Sequence, residues 1–175
     1  MEQKAVAFTG PSGSGKTTLI EKISRRLSET RKVAIIKHDP KDKARFDREG
    51  KDSDRFYKSG AEVAVVSPTR TTLFSHRSRT VEEIAGLLSP FDLLLVEGLK
   101  TLPLPRIGIF RGAIDPEYLP VLQAVAVDAS VSRETLAALP EGIDILDLND
   151  TDAIIRWIDR HAIIMKGTTP HADHL

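Results

Sequence analysis

The chain has 175 residues, with 25 basic and 25 acidic side chains and no cysteine. This length suits one ordinary domain with a sizeable core, and the balanced charge excludes a strong attraction to nucleic acid or to an anionic membrane surface. The lack of cysteine excludes disulfides, thiolate metal sites and cysteine nucleophiles. No signal peptide precedes the first predicted strand, and the apolar run at residues 93–96 is too short to cross a bilayer. We therefore expect a cytoplasmic protein that binds neither nucleic acid nor membranes.

The first predicted elements enclose a glycine-rich loop. Residues 4–9 are typical of a short apolar strand, and residues 17–27 carry apolar side chains at helical spacing. The loop from Gly10 to Thr17 fits the P-loop spacing G-x-x-x-x-G-K-[ST] at every position. In such a loop, glycines let backbone N–H groups approach phosphate oxygens, the lysine contacts the β- and γ-phosphates, and the hydroxyl helps to hold Mg²⁺. The candidate nucleotide-binding residues are Gly10, Pro11, Ser12, Gly13, Ser14, Gly15, Lys16, Thr17 and Thr18.

The later elements are predicted from apolar periodicity and from proline and glycine breaks. A strand at 32–38 completes a βαβ unit, which implies parallel pairing and a right-handed crossover. Residues 39–51 carry dense mixed charge without apolar periodicity, which indicates a mobile loop. Further strands are predicted at 61–67, 71–75, 92–97, 106–111, 122–128 and 143–148, and further helices at 52–59, 80–88, 134–139 and from residue 149 or 150 through 158.

This order of elements predicts an α/β protein with three layers, a P-loop NTPase fold whose sheet is mixed and mainly parallel. The strands at 61–67 and 71–75 are expected to form a hairpin. We predict a single nucleotide-binding domain at residues 1–165, followed by a flexible polar tail at residues 166–175.

Phosphate hydrolysis or transfer needs an acid near the metal, and two acids flank one predicted strand. Asp92 stands at the start of the strand at 92–97, and Glu97 stands at its end. Because ligands bind at the carboxyl ends of parallel strands, where the P-loop also lies, Glu97 is favoured over Asp92. We predict Lys16 and Glu97 as catalytic residues and Thr17 and Glu97 as metal ligands. The alternative for Glu97 is an ordinary acid in a turn before Gly98.

Three polar residues, Lys37, His38 and Asp39, stand at the C-terminal end of the second predicted strand, on the same side of the sheet as the P-loop. Lys37 is a candidate phosphate contact, and Asp39 is a candidate for the surroundings of the metal. The plainer interpretation is that a run of mixed charge is a solvated loop, and that a lone histidine such as His38 is structural. The residues alone leave the role of the 39–51 loop open.

Several short motifs occur together in an order that is similar to one known family. They resemble the molybdopterin-guanine dinucleotide biosynthesis protein B (MobB) family over residues 1 to about 112, whereas the rest shares only its pattern of strands and helices. A histidine-rich stretch that often follows Lys-His in that family is replaced here by residues 39–43. The motifs are the P-loop, Ile36-Lys-His38, Gly50-Lys-Asp-Ser53 with Arg55, Gly60-Ala61, and Val96-Glu-Gly98 followed by Lys100.

The resemblance implies a GTP-binding protein, typically dimeric, with weak Mg²⁺-dependent GTPase activity. Such a protein assists the guanylyltransferase that attaches GMP to molybdopterin in molybdenum cofactor biosynthesis, and contact with the molybdopterin cofactor itself stays open. Carried over to this sequence, Lys16 and Thr17 contact phosphate and metal, and Glu97 is the acid at the metal. Lys37, Asp52 and Arg55 fall in motifs that line the same cleft.

The residues alone do not select the nucleotide base. The Asn-Lys-x-Asp signature of many GTPases is absent, so GTP rather than ATP rests on the resemblance. Residues 127–129 stand where a base-contacting loop would follow a late strand, although an ordinary surface turn is an equal alternative. We expect slow turnover because no arginine finger is evident; Arg55, Arg111 or an arginine of a partner are the candidates. A small-molecule kinase and a non-catalytic nucleotide-dependent adaptor are the alternative functions.

Overall fold

The computed structural model describes residues 2–165 of the chain. Short apolar segments form strands, and longer amphipathic segments between them form helices. The strands are β1 (Lys4–Thr9), β2 (Val33–Lys37), β3 (Val63–Ser67), β4 (Arg70–Phe74), β5 (Leu93–Glu97), β6 (Arg106–Phe110), β7 (Ala124–Val127), β8 (Asp144–Asp147) and β9 (Ile163–Ile164). The helices are α1 (Lys16–Leu27), α2 (Asp52–Lys58), α3 (Val81–Leu88), α4 (Arg133–Ala137) and α5 (Thr151–His161), with a 3₁₀ helix at Pro116–Val121.

Six strands form a parallel sheet in the order β2-β5-β1-β6-β7-β8. β5 lies between β1 and β2, so Glu97 has Phe8 of β1 on one side and Lys37 of β2 on the other. β9 pairs antiparallel with the first two residues of β1. The sheet is therefore mixed and mainly parallel, as predicted, and β1, β2 and β5 end side by side.

Helices and connecting segments cover both faces of this sheet. Alternate residues of β1 enter different apolar clusters, Val6 and Phe8 on one face and Ala5 and Ala7 on the other, because successive side chains of a strand point to opposite faces. The first face packs against α1 and α5. The second face packs against α3 near β2 and β5, and against the 3₁₀ helix and α4 near β6 and β7. This arrangement confirms the three-layer prediction.

Close contacts divide the chain into two compact units, one containing residues up to His38 and from Val81 onward, and the other spanning Asp39–Thr80. The second unit contains α2 and the predicted hairpin, whose strands pair at Ser67 and Arg70 across a two-residue turn. Its Tyr57 ring stacks on His76 with 3.9 Å between ring centroids. The single domain at 1–165 stays a prediction, and the predicted tail at 166–175 lies outside the described residues.

Two short elements have no counterpart in the sequence prediction. In the 3₁₀ helix, the carboxylate of Asp115 accepts a hydrogen bond from the backbone N–H of Glu117 at 3.0 Å, which caps its first turn. The other element is β9, only two residues long. Across residues 2–165, every helix is too short or too polar to cross a membrane.

Candidate nucleotide-binding site

The P-loop connects β1 to α1 and has the backbone geometry that its glycines permit. Gly10, Gly13 and Gly15 have φ angles of 140°, 77° and 101°, which L side chains rarely adopt. A Cβ at Gly10 would lie 2.3 Å from the carbonyl oxygen of Ile109, so any side chain at this position would clash with β6. The glycines therefore determine both the curvature of the loop and its contact with β6.

Helix α1 begins at Lys16, so the last two residues of the P-loop motif form the start of its first turn. Its first turn has no acidic residue, and no side chain caps its N–H groups, which leaves donors and the positive end of the helix dipole for an anion. The Ser14 hydroxyl is buried and has no hydrogen-bond partner among the described residues. Thr17 and Thr18 are exposed in the first turn, and Pro11 and Ser12 are exposed on the loop.

Lys16 lies over the P-loop and is bonded to its backbone. The Nζ ammonium donates to the carbonyl oxygen of Gly10 at 2.9 Å and to that of Pro11 at 2.6 Å. Burial lowers the pKa of Lys16; the charge of Glu97 opposes this shift, and the charge of Lys37 adds to it. Two ammonium groups and one carboxylate therefore act on one another at the end of the sheet that carries the P-loop.

Glu97 ends β5 and meets Lys37 across the sheet. Its Oε2 lies 3.7 Å from Nζ of Lys37, and the Glu97 side chain is only 12% exposed. The next residue, Gly98, donates its N–H to the carbonyl oxygen of Phe8 at 2.9 Å, which ties Glu97 to the strand that enters the P-loop. Asp92, at the other end of β5, accepts a hydrogen bond from the N–H of Lys32 at 2.7 Å. The register thus separates the two candidate acids as the sequence argument expected.

The donor atoms at this end of the sheet fit a hard cation. Thr17 supplies a hydroxyl and Glu97 a carboxylate, and Mg²⁺ prefers oxygen ligands from one or two protein groups together with substrate phosphates and water. Residues 2–165 contain no cluster of three or more His, Asp or Glu side chains that would hold a metal alone. The residues present therefore fit Mg²⁺ that arrives with a nucleotide, and the roles of Thr17 and Glu97 as its ligands stay predictions.

Asp52 and Arg55 lie in α2, within the unit at residues 39–80. Both are exposed, and Asp52 stands in the first turn of the helix. Their predicted contact with the nucleotide stays a prediction.

Arg111 and Asp128 connect the P-loop to the ends of β6 and β7. Arg111 donates from Nε to the carbonyl oxygen of Ser14 at 3.2 Å and from Nη1 to Oδ2 of Asp128 at 2.7 Å. Asp128 also accepts hydrogen bonds from the hydroxyl and the N–H of Ser130. These bonds lower the pKa of Asp128, mainly through Ser130 and with a smaller contribution from Arg111. Ser130 belongs to no recognisable motif, so nothing in the sequence indicated its contact with Asp128.

The chain resembles known proteins in sequence and in fold. The sequence model of the family described as "Molybdopterin guanine dinucleotide synthesis protein B" matches residues 5–132. The molybdopterin-guanine dinucleotide biosynthesis adapter protein of Escherichia coli is 30% identical, over 89% of this chain and 93% of that protein. The adapter protein of Haemophilus influenzae is 36% identical over 61% of this chain and 62% of its own length, so the match spans less than two thirds of that relative. The crystal structure of Bacillus subtilis MobB, at 24% identity, has a TM-score of 0.68 and covers 90% of this chain and 98% of its own, which supports the fold alone.

Proposed function

The chain belongs to the MobB family, and we propose that it is a GTP-binding protein with weak Mg²⁺-dependent GTPase activity that assists guanylyl attachment to molybdopterin. The observation that carries this proposal is the meeting of the P-loop, Lys37 and Glu97 at one end of the sheet. Such a set combines a phosphate cradle, positive charge and an acid at the same end of the sheet as the cradle, which are the parts that P-loop NTPases need.

Each part of the site has a role in binding the triphosphate. The N–H groups of the P-loop and of the first turn of α1 bind phosphate oxygens, and Lys16 exchanges the carbonyls of Gly10 and Pro11 for the β- and γ-phosphates. Thr17 and Glu97 would hold Mg²⁺, which neutralises phosphate charge when bound. Lys37 balances the charge of Glu97 and contacts phosphate from the side of β2.

Slow hydrolysis follows from the state of Arg111. This arginine lies against the P-loop, but its Nε and Nη1 atoms are engaged by Ser14 and Asp128. An arginine that is free to reach the transferred phosphate contributes roughly 10³–10⁵ in rate. We expect Arg111 to support the P-loop rather than to act as an arginine finger, so intrinsic turnover stays low.

The family relationship supports a role beside another protein. The Escherichia coli and Haemophilus influenzae relatives are named adapter proteins, and we propose that this chain acts as a homodimer with the cytoplasmic guanylyltransferase. The choice of GTP over ATP rests on the family alone. A purely nucleotide-dependent adaptor, with no catalytic step, is a second candidate that the same names favour.

Binding titrations of GTP and ATP, each with Mg²⁺ and with a chelator, test the nucleotide proposal. We expect GTP to bind more tightly than ATP, and Mg²⁺ to strengthen GTP binding in the unmodified chain. Glu97→Gln should abolish most of this Mg²⁺ effect, because the amide removes the charge at the metal. Asp92→Asn, at the opposite end of the same strand, is the matched control and should leave it unchanged.

Three outcomes would contradict parts of the proposal. Equal affinity for GTP and ATP would remove guanine specificity, and a full Mg²⁺ effect in Glu97→Gln would remove Glu97 from the metal. Phosphate release measured on the same samples separates hydrolysis from pure binding. If GTP binds with Mg²⁺ but phosphate is not released, the non-catalytic adaptor is the better description.

A further inference from the structure

Arg106, the first residue of β6, has a buried guanidinium with an unusual set of partners. The residue is 0% exposed, and its guanidinium has only backbone carbonyls as acceptors in the described part of the chain: Gly98 at 2.7 Å, Leu99 at 2.9 Å and Leu102 at 3.2 Å. Within residues 2–165, no carboxylate forms an ion pair with it, and burial lowers its pKa. Burying a charge without a counter-charge costs free energy, so the hydrogen bonds to the three carbonyls must offset that cost.

These carbonyls belong to the segment that follows the candidate metal acid. Gly98 and Leu99 both have left-handed backbone angles, with φ of 90° and 49°, directly after Glu97. A leucine in this region is uncommon, so the turn is held by its surroundings rather than by local preference. A Cβ at Gly98 would lie 3.0 Å from Cβ of His38, which makes the turn tight as well as strained.

Gly98 is held on both sides of its Cα. Its N–H is bonded to the carbonyl oxygen of Phe8, two residues before Gly10, and its carbonyl oxygen is bonded to Nη1 of Arg106. The backbone that leaves Glu97 is thus tied to β1 through one bond and to β6 through the other. If the second bond were lost, the turn could rotate and carry the Glu97 carboxylate with it.

We propose that Arg106 is a positioning residue, whose guanidinium holds the left-handed turn at Gly98 and Leu99 and thereby keeps Glu97 in reach of the metal at the P-loop. This inference rests on the proposed function, because it assigns Arg106 to the metal side of that site. It predicts that Arg106 matters for the Mg²⁺ effect on GTP binding, and much less for GTP binding without Mg²⁺.

The test uses Arg106→Lys in the full chain. Lysine keeps a positive charge and some of the hydrogen-bond donors, so this variant should fold more readily than Arg106→Met. The Mg²⁺ effect is the ratio of GTP dissociation constants in chelator and in Mg²⁺, measured by calorimetry. We expect Arg106→Lys to reduce this ratio at least tenfold and to change the affinity in chelator less than threefold. Ile158→Val, on the buried face of α5, is the control for a general loss of stability and should leave the ratio unchanged.

A double-mutant cycle distinguishes action through Glu97 from a separate effect. If Arg106 acts through Glu97, adding Arg106→Lys to Glu97→Gln should produce no further loss of the Mg²⁺ effect. Independent, multiplying losses would overturn the proposal. An unchanged ratio in Arg106→Lys, with stability lowered as in Ile158→Val, would also overturn it and leave Arg106 a structural residue.

Two further measurements keep the outcome decisive. If Arg106→Lys does not fold, Leu99→Val strains the same turn with Arg106 intact, because a β-branched residue disfavours the positive φ at this position. This variant should also reduce the Mg²⁺ ratio, and a full ratio in it would refute the positioning role. If the unmodified chain binds GTP without any Mg²⁺ effect, the proposed metal site itself is wrong, and this result is distinct because it needs no variant. Faster amide exchange at Gly98 in Arg106→Lys would show that the turn has loosened.

Discussion

Gly10→Ala is the substitution for which the structure gives the sharpest expected cost. The added Cβ would lie 2.3 Å from the carbonyl oxygen of Ile109 and 3.2 Å from Oγ of Ser14, and φ at this position is 140°. The first contact is with backbone, so it cannot be relieved by turning a side chain. Either the P-loop or β6 has to move.

The magnitude has two parts. Inserting a methyl group into a closely packed place costs about 1–3 kcal/mol, and holding an L residue in a backbone region reserved for glycine costs about 1–3 kcal/mol more. The expected loss of unfolding free energy is therefore about 2–6 kcal/mol, a large share of the roughly 5–15 kcal/mol of an ordinary domain. For a chain of this size, the corresponding fall in Tm is about 5–20 °C.

Gly13→Ala is the matched control within the same loop. Its φ is 77°, but nothing lies within 4 Å of the added Cβ, so only the backbone cost of about 1–2 kcal/mol applies. Urea unfolding followed by circular dichroism measures both variants, and GTP titration below the lower Tm shows whether the altered loop still binds phosphate. If Gly10→Ala were no more destabilising than Gly13→Ala, the close approach of Gly10 to β6 would have no energetic role and the reasoning would be refuted.

Two further predictions concern polar contacts away from the metal. The bonds from Ser130 lower the pKa of Asp128, so ionised Asp128 stabilises the fold above its unfolded pKa of about 4, and this stabilisation is lost as the pH falls through the lower folded pKa. Below about pH 4, Tm should therefore fall less steeply with pH in Asp128→Asn than in the unmodified chain. Parallel curves of Tm against pH would contradict this. Trp157, 1% exposed, donates from its indole N–H to Oδ2 of Asp144 at 2.7 Å. Trp157→Phe should lower the unfolding free energy, measured in urea, by about 1–3 kcal/mol. Asp144→Asn keeps an acceptor oxygen and should cost much less. Equal costs would contradict this, because the carboxylate charge rather than the acceptor oxygen and the indole would then carry the contact.

The main parts of the site were predictable because they depend on short-range rules. The P-loop is a contiguous motif, and the apolar run before Glu97 identifies a buried strand. Once β5 and β1 are taken as parallel neighbours, Glu97 must end near the start of the loop while Asp92 cannot. The pairing of Lys37 with Glu97 follows from the same register on the other side of β5.

Arg106 was not predictable from the same rules. In the sequence it is only the polar first residue of an apolar strand. Its role depends on the path of residues 98–105, which cross between two parallel strands without forming a helix. The left-handed angle of Leu99 is part of that path, and no local pattern favours a leucine there. The two-residue strand β9 escaped prediction for a similar reason, since its pairing with β1 depends on tertiary contact.

The charges at the P-loop give a physical reason for the proposed binding of nucleotide and Mg²⁺ together rather than of either alone. Lys16 and Lys37 would attract phosphate, whereas the largely buried Glu97 would repel it and is balanced by Lys37 at 3.7 Å. A triphosphate alone would be repelled by this carboxylate, and a cation alone would be repelled by the two ammonium groups. If both bind together as we propose, the cation would take the place of Lys37 beside Glu97, and the two lysines would face the phosphates. The pairing of Lys37 with Glu97 on the neighbouring strands β2 and β5 thus gives a physical reason why nucleotide and Mg²⁺ should bind cooperatively. For the same reason, removing the charge of Glu97 should weaken this cooperativity more than it weakens binding of the nucleotide itself.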